Sequence, residues 1–109
     1  MAQIVAKFGG TSVSDLQRMR DIATTVKSEV EAGNQIVVVV SAMAGITNDL
    51  VALAREANPL HDAREYDSIV ASGEQVSSGL LSLCLQEAGV SARSWQGWQI
   101  AINTDGVHG

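Results

Sequence analysis

Apolar and polar positions change period several times along the 109 residues. Residues 4–8, Ile-Val-Ala-Lys-Phe, form a short and mostly apolar run closed by Gly9-Gly10, which predicts a buried strand followed by a tight turn. Leu16, Met19, Ile22, Ala23, Val26 and Val30 then recur at spacings of three and four, marking one apolar helix face over residues 15–32. Ser14 with Gln17 three residues on has the form of a capping box, and Gly33 stands where a C′ glycine belongs. Residues 36–40, Ile-Val-Val-Val-Val, are β-branched throughout with no polar alternation, which predicts a strand buried on both faces. Strand, helix and strand within about forty residues make a βαβ unit, whose crossover is nearly always right-handed.

A second helix is expected to begin at a Thr47 or Asn48 cap, with Asp49 near its positive end. Leu50, Val51, Leu53 and Ala54 are its buried positions, and Pro59 is its stop. Asp62 with Glu65 is a further capping signal, and the helical region it opens runs to Ala88 before Gly89. Gly73 and Gly79 are points where that helix is expected to bend or loosen. Residues 92–95 read as a third strand and 98–102 as a strand or extended loop. The class is α/β with a parallel sheet in one modest domain. The turn-rich run 103–109 has no closing element, the pattern of a chain cut short.

Composition narrows the function classes. Seven Lys and Arg against twelve Asp and Glu give a net charge of −5, which disfavours a nucleic-acid partner. Hydrophobic residues at 46% exclude an intrinsically disordered chain, and the four aromatics require an aliphatic core. The single cysteine, Cys84, excludes an internal disulfide and fits a reducing compartment; it reads as inert core. No secretory or transit signal is expected, because the first residues run straight into a strand-like segment. The longest weakly charged stretch, 69–85, holds Glu74, Gln75 and four serines, so no membrane span is expected.

Chemistry is expected where the first two strands end, because open α/β sheets bind ligands at the carboxyl ends of their strands. The first strand ends in Lys7-Phe8-Gly9-Gly10-Thr11-Ser12. Two glycines allow close approach of backbone N–H groups to an anion, the following helix start adds its positive end, and Lys7 adds a full charge. A tight turn with a solvated lysine has the same spacing. Neither a Walker A pattern nor a G-x-G-x-x-G fingerprint is present. The second strand ends in Ser41-Ala42-Met43-Ala44-Gly45-Ile46-Thr47-Asn48. Ser41 is placed to offer its hydroxyl to a ligand; Thr47 is a cap or a holder of a substrate carboxylate. Glu74 is the only charged residue in 69–85. A carboxylate among small and apolar neighbours is paired, solvated by a cleft or protonated, and a cleft-facing ligand contact is the favoured reading. His61 and His108 have no companions at metal-ligand spacing, and Trp95 and Trp98 read as packing residues.

These blocks resemble the aspartate kinases. Lys7 to Ser12 is similar to that family's first signature, Val39 to Asn48 to its second, and Ser72-Gly73-Glu74 to its third. Gly97-Trp98-Gln99 with Thr104-Asp105 and His108-Gly109 is similar to a fourth. The resemblance implies the amino-acid-kinase fold, an αβα three-layer sandwich with a mainly parallel sheet, here incomplete. It implies that residues 1–109 are the N-terminal portion of a catalytic domain without a regulatory ACT domain. The implied activity is transfer of the γ-phosphoryl of ATP to the side-chain carboxylate of L-aspartate, in the cytoplasm, by a homo-oligomer, with magnesium ligands outside this chain. Lys7 would stabilise the transferring phosphoryl group beside the Gly9 and Gly10 amides. Phe8, Thr11 and Ser12 would complete the phosphate-side block. Ser41 would lie between nucleotide and amino acid, and Thr47 and Glu74 would hold aspartate, Glu74 facing its ammonium. The isolated chain is expected to be inactive. Two alternatives stand beside this reading: another kinase of the fold, acting on glutamate, uridylate or carbamate, and a non-catalytic fragment that only associates.

Overall fold

The computed structural model describes residues 2–60, 62–95 and 99–102. His61, Gly97, Trp98, Thr104, Asp105, His108 and Gly109, named above, lie outside the described residues. Strand β1 (Gln3–Phe8) leads into helix α1 (Leu16–Glu31) and strand β2 (Gln35–Val40). Helices α2 (Ile46–Ala57) and α3 (Ala63–Glu87) follow, then strands β3 (Ala92–Trp95) and β4 (Gln99–Ile102). The sheet order is β1-β2-β4-β3. Strands β1 and β2 pair in parallel, Lys7 opposite Val39 and Phe8 opposite Val40. The β3–β4 hairpin joins β2 antiparallel. The α/β class holds, with the βαβ unit at one side of a mixed sheet.

The period-2 rule separates the two sheet faces. Ile36, Val38 and Val40 are buried with Leu81 and Leu85 of α3 and Met19, Ile22, Ala23 and Val26 of α1; Ile4 and Phe8 pack against this core. Val5 and Val37, which are register partners, face the other way and are 66% and 38% exposed. The expectation that 36–40 is buried on both faces is therefore corrected. Both α1 and α3 pack on β2, whereas α2 packs on α3 alone. Among the described residues the sheet carries helices on one face, two layers of the implied three.

Helix ends follow local chemistry, with two corrections to the caps and one to a buried position. Asp15, not Ser14, caps α1: its carboxylate accepts from the Arg18 N–H at 2.8 Å. A carboxylate satisfies the orphan N–H as a hydroxyl does and adds a favourable charge at the positive helix end. Neither Thr47 nor Asn48 caps α2, because the cap is Gly45 at φ +87°, and both residues fall in the first turn. Leu53 is 61% exposed rather than buried, since α2 buries only its α3 side, through Ala54. Asp62 caps α3 as expected, accepting from the N–H groups of Arg64 and Glu65. The 25-residue helix continues through Gly73 and Gly79. Gly33 and Gly89, both at φ +92°, close α1 and α3: the Gly33 and Asn34 N–H groups donate to the Val30 and Glu29 carbonyls, and the Gly89 and Val90 N–H groups donate to the Gln86 and Leu85 carbonyls.

Candidate functional site at the carboxyl ends of β1 and β2

Parallel pairing of β1 with β2 puts the two candidate loops side by side. The Ser41 N–H donates to the Phe8 carbonyl at 3.1 Å, extending the ladder past the strand ends. The Ala44 N–H donates to the Gly10 carbonyl, also at 3.1 Å, so the loops are bonded to each other directly. Within the first loop the Ser12 N–H closes a turn on the Gly9 carbonyl at 3.0 Å. Val13, fully buried, pins that turn to the core. Gly10 is required by proximity: a Cβ there would lie 2.7 Å from the Ala42 carbonyl oxygen and 3.3 Å from the Ala44 nitrogen. Gly9 has nothing within 4 Å of such a Cβ, which leaves its backbone open to approach.

Helix α3 reaches the same place through its own glycine. A Cβ on Gly73 would lie 3.0 Å from Ala42 Cβ and 3.3 Å from Ile46 Cγ2 and Leu50 Cδ1. Gly10, Ala42 and Gly73 thus stack as small residues that let two loops and a helix meet closely. Glu74, the next residue, is half-buried at this junction. Lys7, Gly9, Thr11, Ser41 and Thr47 are exposed; Phe8 and Ser12 are half-buried. Because β1 alternates, Phe8 turns to the core and Lys7 to the uncovered face. The candidate site residues therefore lie at the end of β1 (Lys7, Phe8), on the two loops (Gly9, Gly10, Thr11, Ser12, Ser41), in the first turn of α2 (Thr47) and on α3 (Glu74).

The positive helix end at this rim differs from the expectation. The α1 end is occupied by the Asp15 carboxylate, which meets one orphan N–H and offsets the dipole. The start of α2 carries no side-chain cap, and Gly45 holds it in the left-handed region. Sequence reasoning missed Ala42, Ala44 and Gly45; the available signal was the Ala-Met-Ala-Gly run, small enough to admit neighbouring backbone. Among the described residues no group of three His, Cys, Asp or Glu is arranged to hold a metal ion.

An aspartokinase of Rickettsia felis is 48% identical over 111 residues, covering 99% of this chain and 28% of its own length. Aspartokinase 2 of Bacillus subtilis is 46% identical over 109 residues, covering 100% of this chain and 27% of its own. The chain thus spans about a quarter of the length of these curated relatives. The crystal structure of aspartate kinase from Synechocystis superposes with a TM-score of 0.76 at 50% identity, covering 79% of this chain and 15% of that one. E. coli aspartokinase III, solved with aspartate and ADP, superposes with a TM-score of 0.70 at 30% identity, covering 83% and 30%. The model of the amino acid kinase family matches residues 2–108, and with the parallel β1–β2 pair and its joined loops the chain belongs to that family.

Proposed function

We propose that this chain is the N-terminal part of an aspartate kinase catalytic domain, with no regulatory ACT domain within it. The reaction is transfer of the γ-phosphoryl of ATP to the side-chain carboxylate of L-aspartate, giving 4-phospho-L-aspartate. One observation carries the reading: the two loops at the ends of β1 and β2 are hydrogen-bonded to each other, with the Gly73–Glu74 turn of α3 packed against them. An ionised carboxylate is already a nucleophile. The protein's task is positioning and charge stabilisation rather than proton removal. Lys7 meets the charge that develops on the transferring group, and the backbone of Gly9 and Gly10 lies beside it. Phe8 sets the strand end from which Lys7 projects, and Thr11 and Ser12 line the phosphate side. Ser41 sits between the phosphoryl group and the amino acid. Thr47, in the uncapped first turn of α2, and Glu74 hold aspartate, Glu74 pairing with its ammonium.

ATP arrives as the magnesium complex, and the metal's protein ligands lie elsewhere in the protein. The chain on its own does not turn over. It acts in the cytoplasm, and copies associate through the apolar sheet face that bears Val5 and Val37. Calorimetric titration with Mg-ATP and then L-aspartate tests the assignment. Aspartate heat lost in Glu74→Ala and kept in Glu56→Ala is the expected result. Silence in every titration, or binding indifferent to Glu74, leaves the fragment as a non-catalytic associating piece.

A further inference from the structure

Seven glycines fall among the described residues, and only two of them are crowded. Gly33, Gly45 and Gly89 stand at positive φ, and Gly9 and Gly79 have nothing within 4 Å of an added Cβ. Gly10 and Gly73 have close neighbours, and both meet the same residue: Gly10 the Ala42 carbonyl oxygen at 2.7 Å, Gly73 the Ala42 Cβ at 3.0 Å. Glycine inside a helix such as α3 is unfavourable, so close packing is the reason for Gly73. Ala42 is 6% exposed, and its single methyl has no rotamer by which to yield. Ile46 and Leu50, the other neighbours of Gly73, meet it through the ends of flexible side chains. The thickness of Ala42 therefore sets the gap between the phosphate-side loop and α3.

We propose that Ala42 and Gly73 determine which amino acid the site accepts, by fixing the distance from the Gly9–Gly10 backbone to Glu74. The inference rests on the reading above, in which Glu74 holds the substrate ammonium and the loop lies beside the phosphoryl group. An amino acid held at its ammonium must reach the phosphoryl group with its side-chain carboxylate. Aspartate and glutamate differ in that reach by one methylene, so a gap fixed to within a fraction of a methylene separates them. Carbon atoms pack at about 3.5–4.0 Å, so a methyl on Gly73, 3.0 Å from Ala42 Cβ, drives α3 and Glu74 outward by about 0.5–1.0 Å. That is a large part of the length of one methylene. The widened site holds aspartate short of the phosphoryl group and gains room for glutamate. Both residues act through Glu74, as positioning residues, and neither needs to touch substrate.

Calorimetric titration of the chain in saturating Mg-ATP, with L-aspartate and separately with L-glutamate, tests the proposal. In Gly73→Ala the ratio of aspartate to glutamate affinity should fall about tenfold, the low end of what one methylene is worth in discrimination. General loosening of the fold would weaken both amino acids alike and leave the ratio unchanged. Adding Ala42→Gly to Gly73→Ala removes the methyl that the new one meets, and should return the ratio to its native value. Ala42→Ser adds one atom to the same contact from the loop side. It should lower the ratio too, and it replaces Gly73→Ala if that variant does not unfold cooperatively. A native chain that fails to bind aspartate, or binds it indifferently to Glu74→Ala, overturns the reading of the site and this inference with it. Glu74-dependent aspartate binding whose ratio to glutamate is unchanged in Gly73→Ala, or is not restored by Ala42→Gly, overturns the assignment of Ala42 and Gly73 alone.

Discussion

Replacing Gly10 with alanine puts one methyl group between the two loops. That methyl meets the Ala42 carbonyl oxygen at 2.7 Å, while ordinary contact begins near 3.4 Å, so backbone must move by about 0.7 Å. No flexible side chain is available to absorb the shift, because the neighbours are the Ala42 oxygen and the Ala44 nitrogen. Overpacking of this kind costs about 1–3 kcal/mol. Moving the loops apart also stretches the Ala44–Gly10 hydrogen bond, worth about 1 kcal/mol. The sum, about 2–4 kcal/mol, is a large share of the 5–15 kcal/mol that stabilises a typical domain. Urea unfolding monitored by circular dichroism reads it as a lower midpoint at unchanged slope. Gly9→Ala is the control, since its methyl enters open space, and its change should stay within about 1 kcal/mol. Equal losses for the two variants would refute the close approach of the loops, and with it the reason this position is glycine.

Three further outcomes follow from the same packing. Asp15→Ala should cost about 1 kcal/mol through the lost α1 cap, whereas Ser14→Ala should cost under about 0.5 kcal/mol; thermal unfolding of both variants decides which residue caps. Leu81→Ala should cost about 2–5 kcal/mol and Leu83→Ala almost nothing, because Leu81 is fully buried and Leu83 is 62% exposed. A charge on the bare sheet face, Val5→Lys, should leave the fold intact and lower the association of copies. Light scattering that shows a concentration-independent monomer for both the native chain and the variant would count against association through that face.

Much of the fold was legible because strong local rules agreed with the packing. The three-and-four spacing of Met19, Ile22, Ala23 and Val26 placed the buried face of α1, and Gly33 and Gly89 ended helices as C′ glycines should. Asp62 was legible as a cap because no neighbouring residue competes for that position. Ser14 and Asp15 are adjacent and equally able to cap, so tertiary placement of the Val13 turn decided between them. At α2, a hydroxyl and an amide near the start hid the left-handed Gly45. The all-β-branched strand suggested two covered faces, yet β-branching reports only that a face can be buried. What covers the Val37 side is a property of other residues. The site was legible as two loops, since parallel pairing alone forces strand ends onto one rim. The Gly10–Ala42–Gly73 stack was not, because it joins residues more than sixty positions apart and no single-chain period connects them.

The central claim, that these residues form the working part of an aspartate kinase site, is tested most directly in a chimera. This chain replaces the matching residues of Bacillus subtilis aspartokinase 2, to which it is 46% identical across its whole length. ATP-dependent phosphorylation of L-aspartate is then followed as the acyl hydroxamate, beside L-glutamate. A cooperatively folded chimera should phosphorylate aspartate and not glutamate. Lys7→Ala within it should lower kcat by about a hundredfold or more, and Glu74→Ala should raise KM for aspartate. A folded chimera that is inactive, or one whose activity is untouched by both substitutions, would contradict the account.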